Sequence, residues 1–120
     1  MQLDHNDLKQ IAVNLDKSFP GFSEAFDKDT TKIEPGRATL LEYLQAAAAI
    51  GTLVVAFKAM APVVNNLLRD IEPGKTPDEI ISALSKAFHE QIVVPSQENG
   101  ARVRLVINAI LAHIKSRLGG

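Results

Sequence analysis

Apolar side chains recur at intervals of three and four residues through most of the chain, and Pro-Gly or Gly-containing breaks punctuate the runs. Leu8, Ile11, Leu15 and Phe19 form the first such face, and that spacing predicts a helix. Asp4 is placed to cap it, and Leu3 and Leu8 stand at hydrophobic-staple positions. Asp7 lies in the first turn, where the helix dipole favours a carboxylate. Pro20-Gly21 ends the run. A short second helix over 22–28 would present Phe22 and Phe26 to the same core, one turn apart.

Residues 27–36, DKDTTKIEPG, are polar and end in Pro-Gly, so they read as a loop. The longest apolar stretch follows, from Thr39 to Ile71, and is the hub of the predicted core. Thr39 and Glu42 have capping-box spacing, which starts a third helix. Leu40, Leu41, Leu44, Ala47 and Ala48 form its buried face. Gly51-Thr52 is expected to end that helix and cap the next. Leu53, Phe57, Met60, Val64, Leu67 and Ile71 then step by four and three, a seam under three heptads long that suits bundle packing. Pro62 lacks a backbone donor and should kink this helix or restart it near Ala61.

Glu72-Pro73-Gly74 closes the hub. Thr76, Pro77 and Glu79 then supply a cap, a first-turn proline and the return bond of a capping box. Ile80, Ile81, Leu84, Ala87, Phe88 and Ile92 give that helix its face. Residues 95–100, PSQENG, break the pattern. A last helix over 102–118 would bury Val103, Val106, Ile107, Ile110, Leu111 and Ile114, with Gly119 as its C-terminal cap. The expected fold is one all-α domain over 1–120, a compact bundle of five to six helices. The alternative is an α+β protein with a hairpin over 91–107, because this stretch is β-branched and Asn99-Gly100 is a hairpin signal.

Composition narrows the function classes. With no cysteine, disulfides, thiolate metal sites and a cysteine nucleophile are excluded. Thirteen basic residues nearly cancel 14 acidic ones, which argues against the strong positive field of a dedicated nucleic-acid binder. So small a net charge also leaves self-association unopposed, making a homo-oligomer an open expectation. The segment MQLDHNDLKQ shows no basic stretch leading into an apolar run, and a cytoplasmic location is expected. The charge-free run 43–57 is shorter than the roughly 20 residues of a bilayer span. Glu42 and Lys58 bracket it, so no membrane span is expected.

No catalytic or cofactor motif is present. His5, His89 and His113 lack a second ligand at metal-binding spacing, and His89-Glu90 does not continue into a zinc-protease motif. They read as surface or boundary residues, and His113 sits where a protonated ring would favour a helix C-terminus. Asp27, Asp29 and Glu34 do not fit a calcium loop. The turn at 49–52 leads into an almost wholly apolar helix, which cannot read base edges. The terminal Gly119-Gly120 follows a predicted helix directly and reads as its cap. No cofactor and no metal are expected.

Leu8, Leu15, Phe19 and Pro20, followed by Leu44, Ala48, Gly51 and Leu53, resemble the pattern of the effector-associated domains of bacterial conflict systems. These are small, death-fold-like helical adaptor modules. The resemblance spans about half of the chain. The aromatic residue usual in the later helix is at best Tyr43, and the helices after Glu72 have no counterpart. It implies a non-enzymatic protein–protein interaction module, a homotypic adaptor that recruits a similar helical domain on an effector. On that reading the contact groups are Asp27, Lys28, Asp29 and Lys32, together with Arg102 and Arg104, meeting complementary charges on the partner. The alternative is a homo-oligomeric structural or phage-type helical protein with an apolar dimer seam.

Overall fold

The computed structural model describes residues 1–29, 49–91 and 97–119. Five helices occupy them: α1 (His5–Leu15), α2 (Phe22–Lys28), α3 (Ile50–Ile71), α4 (Pro77–Gln91) and α5 (Gln97–Arg117). No strand occurs among the described residues. Each helix packs on its neighbours in sequence, and α5 returns to pack on α1, so the five close into a ring. The expected all-α bundle is the fold found.

The ends of α1 and α4 are built as their sequences predict. The Asp7 N–H donates to the Asp4 carboxylate at 2.9 Å, and the Asp4 N–H donates back to Asp7 at 3.0 Å. Thr76 and Glu79 exchange the same pair of bonds at 3.1 and 3.3 Å. Between α1 and α2 the chain reverses at Gly21, whose φ of 89° is a left-handed conformation that costs other residues about 1–2 kcal/mol. The Asp16 carboxylate fastens this corner, accepting from the Ser23 N–H at 2.8 Å and the Ser23 hydroxyl at 2.5 Å.

The core runs along α3. Leu53, Phe57, Met60, Val64 and Leu68 are fully buried, while Leu67 and Ile71 stand at its margin. The buried stripe therefore advances by four, three, four and four, the drift of a straight helix rather than a strict heptad. Phe57 is the centre of the aromatic packing, with its ring 5.6 Å from Phe22 and 5.9 Å from Phe26. Ile11 and Leu15 of α1, Ile80, Leu84 and Phe88 of α4, and Val103, Val106, Ile110 and Ile114 of α5 complete the cluster.

Three sequence expectations are corrected, and one is narrowed. The helix of the hub begins at Ile50, capped by Ala49 in extended conformation, so Gly51 and Thr52 lie inside its first turn and Thr52 is not the cap. Gly51 costs little there because the first turn has few intrahelical bonds to weaken. Of the two outcomes expected at Pro62, a kink or a restart, the restart does not occur: the helix runs on through it to Ile71. Pro62 is exposed, so the carbonyl of Lys58, deprived of its usual donor, faces the wet side of the helix.

The last helix starts at Gln97, five residues before the expected Arg102, and the hairpin over 91–107 does not form because residues 97–107 are helical. Burial of Val103, Val106, Ile110 and Ile114 at helical spacing overrides the β preference of single residues. The helix expected from Thr39, together with the polar loop after Asp29, lies outside the described residues.

By length and composition, α3 is also the one helix among the described residues that could cross a membrane. Half of its apolar window is buried inside the bundle. It serves here as the core helix.

Candidate functional site

The charged residues singled out from sequence are held in different ways. Asp27, near the end of α2, pairs with Lys9 of α1. Lys28 pairs with Glu24 one turn back at 2.8 Å, both side chains largely exposed. Asp29 stands 3.2 Å from the ammonium of Lys58, and both are mostly shielded from water. Lys58 also donates to the Asp29 carbonyl at 3.1 Å and lies 4.6 Å from the centroid of the Phe26 ring. This one lysine therefore caps α2 and covers a core aromatic. His5 stacks on the same Phe26 at 5.6 Å.

Lys32 lies outside the described residues. Arg102 and Arg104 are near the start of α5, and the Arg104 Nε–H donates to the Gly100 carbonyl at 3.2 Å. Because α2 packs on α1 and α3 while α5 packs on α4 and α1, the acidic and basic candidates occupy separate parts of the ring.

One polar cluster was not anticipated. Asp7 is buried at 5% exposure. Its carboxylate lies 2.8 Å from His113 Nε2 and accepts from the Arg117 guanidinium at 2.6 Å, in addition to the Asp4 N–H. Burial works to raise the Asp7 pKa, but the His113 bond, the Asp4 N–H and the Arg117 charge together outweigh it. The carboxyl is held below its usual 3.8. This joins the first turn of α1 to the last turns of α5. A capping residue and two basic residues more than a hundred positions away carry no local signal of that contact.

The outer surface of the same helix pair has its own pattern. On α1, Asn6, Gln10, Val13 and Asn14 are exposed at one helical face. On α5, Ala101, Leu105, Asn108 and Ala112 do the same. Val13 is 50% exposed and Leu105 is 44% exposed. Exposed Arg104 and Lys115 lie on the same face of α5, and exposed Lys17 stands at helical spacing from Val13 and Asn14. Arg117, though also exposed, is turned to Asp7 of α1.

Two open depressions lie elsewhere. One, of about 560 Å³, is lined by polar groups including Asn65, Asn66 and Arg69, and Arg69 bonds to the Asn66 side chain. The other, of about 620 Å³, runs along the outside of α4 past Ile81, Ser82, Ser85 and Lys86. Among the described residues no three His, Asp or Glu side chains cluster as metal ligands. The side chain of His89 lies outside those described.

Comparisons with known proteins return no family model, no curated protein and no solved structure that matches this chain.

Proposed function

We propose that this domain is a non-enzymatic protein–protein interaction module. The observation that carries the reading is the exposure of three large aliphatics among the described residues, Val13 on α1 and Leu105 on α5, two helices that pack on one another, and Ile50 at the start of α3. Exposed aliphatic groups are the kind of side chain that meets other proteins where they form a contiguous patch. The ionisable groups support the same reading. Asp7, His113, Lys58 and Asp29 are spent on tying helices together. The finer proposal, an adaptor that recruits a similar helical domain in bacterial defence, draws its support from the residue pattern of the first half of the chain alone.

Sedimentation velocity of the purified full chain tests the module. A monomer at both 0.1 and 0.5 M salt, on the order of one and several times physiological screening, fits an adaptor that awaits its partner. A stable dimer that persists at the higher salt replaces this reading with the homo-oligomeric one, in which an apolar seam holds two copies together.

A further inference from the structure

We draw no further inference here: the strongest candidate, the cluster of Asp7, His113 and Arg117 where α5 closes on α1, is spent on joining those two helices and belongs to the site already described.

Discussion

His113 Nε2 lies 2.8 Å from the carboxylate of Asp7, across 106 residues of chain. The contact closes the ring of helices, since it joins the first turn of α1 to the last turns of α5. Asp7 thereby serves two purposes at once, as the return partner in its own helix cap and as the buried anion that anchors the far end of the chain.

Asp7→Asn keeps the size of the side chain but removes the charge that three donors address. It should cost about 2 kcal/mol, the scale of hydrogen bonds to a charged group. Arg117→Ala should cost less than about 1 kcal/mol, because its side chain is 45% exposed and water screens the pair. Urea unfolding of the two variants checks the order, and an equal or inverted cost would mean that Asp7 acts mainly through its cap.

Acid should weaken the fold through the same group. The Asp7 pKa is lowered in the folded chain, so the unfolded chain binds its proton first as pH falls. Its contribution is complete above about pH 5 and is lost as pH drops below the usual 3.8. Asp16, held down chiefly by the Ser23 hydroxyl, and Glu79, held down chiefly by the Thr76 N–H, act in the same direction. Urea midpoints measured at neutral pH and at stepwise lower pH should fall for the natural chain and fall less for Asp7→Asn.

Lys58 and Phe26 should be energetically coupled. Lys58→Met keeps the aliphatic stem but withdraws the ammonium from Asp29, from the carbonyl that ends α2 and from the aromatic ring. In a double-mutant cycle with Phe26→Leu, the coupling should be about 0.5–2 kcal/mol. A value indistinguishable from zero would show that the cation rests over the ring without stabilising it.

Asn65 fixes the segment ahead of α1 to the middle of the core helix. Its side-chain oxygen accepts from the Leu3 N–H at 2.8 Å, and its amide donates to the Leu3 carbonyl at 3.2 Å. Asn65→Leu should cost about 1–2 kcal/mol, with two buried backbone groups losing their partner. Amide exchange should speed up locally at Leu3 and Asp4, while protection in α4 is preserved.

Much of the fold is legible along the chain because helix signals are local. Asp4 and Thr76 mark their own helix starts, Gly21 and Gly119 adopt the left-handed turns that their positions suggest, and the apolar faces of α4 and α5 follow directly from spacing. Boundaries are less legible where a residue is tolerated rather than required. Gly51 and Pro62 look like breaks in isolation, yet a first turn absorbs one and an exposed carbonyl absorbs the other.

The candidate site divides along the same line. That Asp27, Lys28 and Asp29 are charged and near a helix end is visible from residue order, but which of them meets a lysine of another helix is not. By itself the sequence determined the caps of α1 and α4 and the apolar stripes of α1, α4 and α5, since each depends on neighbours within one or two turns. Only the tertiary structure decided that α5 closes on α1, that Asp7 is the anion at that closure, and that Val13 and Leu105 are left exposed. Those facts depend on the direction in which packed helices point, and the pairing of distant turns leaves no local trace in the order of residues.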